Sequence, residues 1–356
     1  MAPKVYIIVL NWNNWRDTLE CLESVYRLEY PSFQVIVCDN ASTDDSVSMI
    51  AAWATGAVHA TTRSNDPRIR SLTDPPVTKP ISVSVIDYSD TSLAKEPSSS
   101  LTILRIKQNR GYASGNNAGI RWVRSRGDGE LFWILNNDTV VERQALAWLV
   151  ERISSDSEIG LCGSLLLLYD DPDKIQAAGG ARYRRVTAIP RILGAGRSRD
   201  DIPEPAAIER QMTYVIGASM LATANFVRDV GPMREDYFLY YEELDWVLRS
   251  GGRFRLGFAP RSIVYHKEGA SAGSTSNWRA RSEISDLCAI RNRLLITRRF
   301  FLPYYPLVFA TIVGVMLRRL WRRQPDRAGQ VLRMLLGPES YRLPRPDART
   351  SSEKSR

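Results

Sequence analysis

Histidine is almost missing from this chain: two residues, His59 and His266, in 356. Cysteine is scarce as well, and the four present (Cys21, Cys38, Cys162 and Cys288) are far apart. That spacing excludes a Cys/His zinc cluster or a CxxC redox pair, and isolated reduced thiols suit the cytosol. No GxGxxG fingerprint follows the first apolar run, which disfavours a nicotinamide dinucleotide site. No uninterrupted apolar run reaches the ~20 residues of a spanning helix. Val5 to Leu10 is too short for a secretory leader and runs straight into Asn11, so the body is expected in the cytoplasm. Acid is scarce only in the tail: from Ser271 on there are 6 acidic and 17 basic residues, against 33 and 31 in the first 270. The net charge of +9 therefore belongs to the tail. With a near-neutral body and no recognition motif, no nucleic-acid partner is expected.

What is present has the order of an open α/β sheet. Val5-Tyr6-Ile7-Ile8-Val9-Leu10 is a continuous, β-branched-rich run, as a parallel strand covered on both faces requires. Trp15, Leu19, Leu22 and Val25 or Tyr26 then recur at helical spacing. Phe33 to Cys38 is a second strand, closing on the polar run Asp39-Asn40-Ala41-Ser42-Thr43-Asp44-Asp45. Strand, helix, strand, helix with polar residues after each strand puts a ligand site beyond the strands' C-terminal ends. Residues 60–100 break the pattern with Pro67, Pro75, Pro76, Pro80 and Pro97 and one candidate strand at Ile81–Ile86. They are read as a surface insertion, a tolerated loop before a lid. Arg182–Arg210 is read as a basic, irregular loop.

Two acidic groups carry the chemistry. Asn136-Asn137-Asp138-Thr139 follows the apolar run Leu131-Phe132-Trp133-Ile134-Leu135, so a strand delivers one carboxylate to its exposed end. Tyr240-Tyr241-Glu242-Glu243-Leu244-Asp245 supplies three more acids about a hundred residues on. One carboxylate for a cation and another for a proton is what displacing a nucleoside diphosphate from a sugar needs.

These segments join five others in one order: Ile7 to Asn13, Val37 to Asp44, Asn109-Arg110-Gly111-Tyr112-Ala113-Ser114-Gly115-Asn116, Gly217-Ala218-Ser219-Met220, and Pro260 to His266. The whole, from about Val5 to Gly269, resembles the family 2 glycosyltransferases, in particular the rhamnosyltransferase-like members that build bacterial surface polysaccharides. The resemblance implies the GT-A fold, a Rossmann-like mixed α/β sheet flanked by helices. It assigns 1–270 to a catalytic domain, interrupted at about 60–100. It implies that Leu10 and Trp12 form the base pocket, that Asp39 accepts from the base, and that Asn109, Gly111, Asn116 and Asn137 line the donor nucleotide. Asp39 is equally good turn chemistry. Asp138 and His266 would hold a divalent cation, Mg2+ or Mn2+, the imidazole leaning to Mn2+; the usual Asp-x-Asp is here Asn-Asn-Asp. Glu243 aligns with the catalytic base, usually Asp, with Glu242 as the alternative; Asp245 would brace the helix.

The implied activity is inverting, metal-dependent transfer of a sugar, with dTDP-rhamnose the leading donor, to a hydroxyl of a growing glycan or lipid-linked glycan. The alternative is a non-catalytic sugar-nucleotide or glycan-binding domain. Residues 271–337 read as a helical, basic extension. Phe300 to Leu317 lacks charge but is broken by Pro303 and Pro306, and arginines flank it on both sides. That composition suits a helix lying in the headgroup layer, with peripheral membrane contact through 298–323; packing against the catalytic domain or a partner subunit is the other reading. Residues 338–356 read as disordered.

Overall fold

The computed structural model describes residues 2–89, 99–267 and 282–343. The chain begins β1 (Val5–Asn11), α1 (Trp15–Val25), β2 (Phe33–Asn40), α2 (Ser46–Thr55), α3 (Pro67–Arg70), β3 (Val83–Asp87), β4 (Leu101–Ile106), α4 (Tyr112–Arg126) and β5 (Leu131–Asn136). It continues through β6 (Thr139–Val141), α5 (Ala145–Ser154), β7 (Ile159–Leu168), β8 (Ile175–Ala178), β9 (Gly180–Arg184), β10 (Ile189–Ile192), α6 (Pro205–Glu209), β11 (Tyr214–Val215) and β12 (Ser219–Thr223). Then follow α7 (Ala224–Val230), α8 (Glu242–Arg249), β13 (Arg255–His266), α9 (Glu283–Phe300), α10 (Tyr305–Trp321) and α11 (Pro325–Leu336).

Ten strands form one mixed sheet in the order β3-β4-β2-β1-β5-β12-β7-β13-β6, with β8 paired to β7; β10-β9-β11 form a second, small sheet. In β1 the side chains alternate strictly between the two faces. Val5, Ile7 and Val9 join a core cluster with Leu19 and Leu22 of α1, Trp53 of α2 and Leu149 of α5. Tyr6 and Ile8 join the opposite cluster, with Trp122 of α4, Phe226 of α7 and Trp246 of α8. Both faces of the sheet are therefore covered, which is why the strand reads as unbroken apolar sequence. β1, β2, β4 and β5 run parallel, so Leu10, Asn40, Ile106 and Asn136 end on the same edge. All four cysteines are buried, and none forms a disulfide.

The insertion is not a loose loop. β3 pairs parallel with β4, Val83 opposite Leu101 through Asp87 opposite Arg105, and extends the main sheet. The buried Glu23 carboxylate accepts from Trp53 Nε1 (2.8 Å), from Lys79 Nζ (2.9 Å) and from the Val77 N–H (2.8 Å), tying the insertion to α1 and α2. β3 corresponds to the candidate strand read at Ile81–Ile86; what the prolines and serines around it conceal is its pairing with β4 and the anchoring to Glu23. Arg182–Arg210 likewise holds ordered structure, β10 and α6, where its composition points to an irregular loop.

The chain folds as two compact units. The first is the sheet and its helices. The second comprises Arg184–Ile189, Leu239–Tyr241 and, among the described residues, 282–343; within it α10 packs against α11 and α9. The disorder expected for the tail falls, beyond residue 343, outside the described residues.

Candidate active site

The donor side is built at the ends of β1 and β2 and the start of α4. Gly111 has φ +95°, a left-handed value that suits glycine. A Cβ there would collide with the Phe238 backbone, whose carbonyl accepts from the Tyr112 N–H at 2.8 Å. Asn109 Oδ1 accepts from the Gly111 N–H (2.9 Å) and from Asn40 Nδ2 (3.0 Å), so the turn is set before α4 begins. Gly115 lets Leu10 lie flat on the helix, since a Cβ would overlap the Leu10 side chain. Three buried polar atoms here have no protein partner: Trp12 Nε1, Asn40 Oδ1 and Asn116 Oδ1. Unsatisfied buried groups cost about 1–3 kcal/mol each unless something outside the chain meets them.

Asp39 and Asn137 are more fully used by the protein itself. Asp39 accepts from Asn11 Nδ2 (2.8 Å), Ser42 Oγ (2.5 Å) and the Ser42 N–H (3.2 Å), which is the turn chemistry that competes with base recognition. A carboxylate offers about four acceptor positions, so one remains. Asn137, assigned to the donor by resemblance, donates to Thr18 Oγ1 (2.9 Å) and reaches Asn11 and Asn14 (3.4 Å each). Its side chain braces the Asn136–Thr139 turn against the start of α1.

Asp138 and His266 come together across β6 and β13, where His266 pairs with Thr139. His266 Nε2 lies 3.2 Å from Asp138 Oδ1. Nδ1 lies 2.9 Å from Gln176 Oε1, and this contact orients the ring. With its proton on Nδ1 the ring would offer the Nε2 lone pair to a cation shared with the Asp138 carboxylate. The donor set fits a divalent ion completed by ligand oxygens; no cluster of three or more His, Cys, Asp or Glu occurs among the described residues. A buried ion network stands behind this pair. The Lys267 N–H donates to the Asp138 carbonyl (3.0 Å), and Lys267 Nζ lies 2.5 Å from both Asp17 Oδ1 and Glu20 Oε2.

The acidic helix meets the same edge. A Cβ on Gly217 would overlap Glu243 Oε1 and the Tyr112 hydroxyl, so Gly217 is what lets the carboxyl sit there. Tyr112 Oη donates to the Gly217 carbonyl at 2.7 Å, and the Asn136 N–H donates to the neighbouring Ala218 carbonyl at 3.0 Å. Burial of its carboxyl pushes the Glu243 pKa up to about 7, against the backbone N–H groups of Glu243 and Gly217, which favour the anion. Burial drives the Tyr112 phenol well above its ordinary value, and the carboxylates of Glu243, Glu242 and Asp138 add to this in that order. The fields of both acidic groups thus reach the Tyr112 hydroxyl. Asp245 accepts from Tyr237 Oη (2.8 Å) and Arg249 Nε (2.7 Å) and braces α8.

The model of the family described as glycosyl transferase family 2 matches residues 6–75 and 87–216, more than half of the chain. The chain belongs to this family. The gap in the match falls within the insertion. The low-salt glycan biosynthesis hexosyltransferase Agl10 of Haloferax volcanii is 22% identical over 143 residues, 40% of this chain and 43% of that protein. Less than half of that relative is therefore spanned. The mannosyltransferase PcManGT from Pyrobaculum calidifontis, solved with GDP-Man and Mn2+, superposes with a TM-score of 0.50 at 16% identity, over 97% of this chain and 77% of that one. GalNAc-T7, solved with UDP, GalNAc and Mn2+, gives 0.53 at 13% identity, over 83% and 48%. At such identities the likeness is one of fold, the mixed GT-A sheet flanked by helices.

Three participants carry no signal that sequence reasoning could assign to a role. Tyr112 and Gly217 stand inside recognisable motifs without a stated function, and Gln176 lies 90 residues from the ring it orients. Nothing local in sequence marks Gln176.

Proposed function

We propose that this chain is an inverting sugar transferase that uses a nucleoside diphosphate sugar, with dTDP-rhamnose as the leading donor and a rhamnosyltransferase-like specificity. The observation that carries the reading is the convergence of Asp138–His266 and Glu243 on Tyr112 and the Gly217–Ala218 turn, beside unsatisfied polar atoms at the strand ends. Leu10, Trp12 and Asn116 hold the nucleotide, with the free acceptor position of Asp39 and the backbone around Gly111 and Asn109. Asp138 and His266 hold Mg2+ or Mn2+, which when bound offsets charge on the diphosphate. Glu243, with a pKa near neutrality, removes the proton from an acceptor hydroxyl. The hydroxyl oxygen bonds to the anomeric carbon from the face opposite the diphosphate, the carbon–oxygen bond to the diphosphate breaks, and the configuration inverts. Glu242 is the alternative base. The acceptor is a growing surface glycan, lipid-linked and met at the membrane's cytoplasmic face. A non-catalytic binding domain is not favoured.

A screen of nucleoside diphosphate sugars, with and without Mn2+ or Mg2+, tests this by thermal shift and donor hydrolysis. A donor at a hundred times its dissociation constant adds about 2.7 kcal/mol to stability. The cation-dependent part of the shift should vanish in Asp138→Asn. No response to any donor overturns the reading.

A further inference from the structure

The second unit exposes an apolar helix face that the transferase reading does not use. Of the 17 residues of α10, Val308, Ile312 and Arg319 are buried. Leu307, Ala310, Gly314, Leu317 and Trp321 recur at alternating spacings of three and four, so they share one face. That face is exposed, with Leu307 at 52%, Leu317 at 56% and Trp321 at 84%. An amphipathic helix normally turns such a stripe inward; here it turns outward.

A second segment reaches the same unit from elsewhere in sequence. Arg293 Nη2 donates to the Thr187 carbonyl (2.7 Å) and to Thr311 Oγ1 of α10 (2.8 Å). This holds the tip of the β9–β10 hairpin beside α10, and the tip carries Val186 (52% exposed) and Ile189 (49%). Positive charge dominates the surroundings: residues 287–325 contain eight arginines and no acidic residue, with Asp286, paired to Arg319, and Asp326 just outside. Arg318, Arg322 and Arg323 at the end of α10 are exposed.

We infer that this two-segment patch, α10 with the hairpin tip, docks on an anionic lipid surface. Charge complementarity selects that occupant. A second copy of the chain would set arginines against arginines, which lipid phosphates would instead neutralise. No described helix is long and apolar enough to cross a membrane, so α10 lies in the headgroup layer, with Trp321 at its polar edge. The hairpin tip goes beyond a simple tail anchor, because it commits a segment from the middle of the chain to the same surface.

Vesicle flotation of the full chain tests this without donor or turnover, so its failure and that of the transferase reading are separable. Phosphatidylglycerol vesicles should float the protein, and phosphatidylcholine vesicles should do so at least about tenfold less well, given ~1 kcal/mol per arginine at an anionic surface. Arg318→Glu/Arg323→Glu and, separately, Val186→Asp/Ile189→Asp should each weaken binding about tenfold or more, with circular dichroism unchanged. Should a variant misfold, the salt dependence of wild-type binding replaces it: affinity must fall as NaCl is raised from about 50 to about 500 mM. Equal flotation with both lipids, no flotation, or a dimer in solution that the same substitutions dissolve would overturn the proposal.

Discussion

Replacing Glu243 by Gln separates catalysis from folding, with opposite signs. In the folded chain burial moves this carboxyl from an ordinary 4.5 to about 7. Each unit corresponds to about 1.36 kcal/mol, so ionising Glu243 in the native state costs up to roughly 3 kcal/mol more than in the unfolded chain. The native state binds the proton more tightly, so the stability tied to it is complete below pH 4.5 and is lost as pH rises through about 7. Glutamine carries no such loss. The variant should match wild type in urea titrations near pH 4, and exceed it by up to roughly 3 kcal/mol at about pH 8.5. Transfer should behave in reverse. Wild-type kcat/KM should rise with pH to a plateau above about 7 as the base deprotonates, and the variant should lose about 10²–10⁴ in kcat with donor binding intact. Parallel stability–pH curves for the two proteins would refute the burial argument. A variant as active as wild type would move the base to Glu242.

Two further substitutions probe the supports of the site. Gly217→Ala keeps an ordinary backbone conformation but drives a methyl into Glu243 Oε1 and the Tyr112 hydroxyl; kcat should fall by about 10²-fold while the unfolding midpoint barely moves, and an unchanged kcat would mean that the carboxyl has room to spare. Lys267→Met leaves Asp17 and Glu20 buried without their ammonium partner. Denaturant titration should read a loss of about 3–5 kcal/mol, and a loss under about 1 kcal/mol would mean that water already solvates the pair.

The sheet is legible in sequence wherever a strand is buried on both faces, because β1, β5 and β7 then have to be apolar throughout. In residues 60–89 only the short strand read at Ile81–Ile86 is legible among the prolines, and it corresponds to β3; residues 182–210 are illegible, because their strands are short and partly exposed and arginines dominate the composition. The strand-end acids are legible because a buried run stopping at Asn136-Asn137-Asp138 has nowhere to put a carboxylate except the rim. Which of those polar residues serve the protein itself is not. Asn137 and Asp39 carry the side-chain types of a ligand contact, and only the structure shows that Asn137 also bonds to Thr18 and Asp39 to Ser42. The role of Gly217 depends on Glu243, far away in sequence, and no pattern along the chain encodes that overlap.

The bond between Glu23 and Lys79 limits how far this protein can be shortened. Excising the proline-rich segment looks harmless on paper, yet it would strip β4 of its outer neighbour and leave a row of unpaired amides and carbonyls open to another chain. It would also take the Lys79 ammonium and the Val77 N–H from the Glu23 carboxylate, which has 1% exposure, leaving it Trp53 Nε1 and a more distant Arg27. A minimal version for crystallisation or engineering should therefore keep β3 and Lys79, and replace Glu23 if they must go.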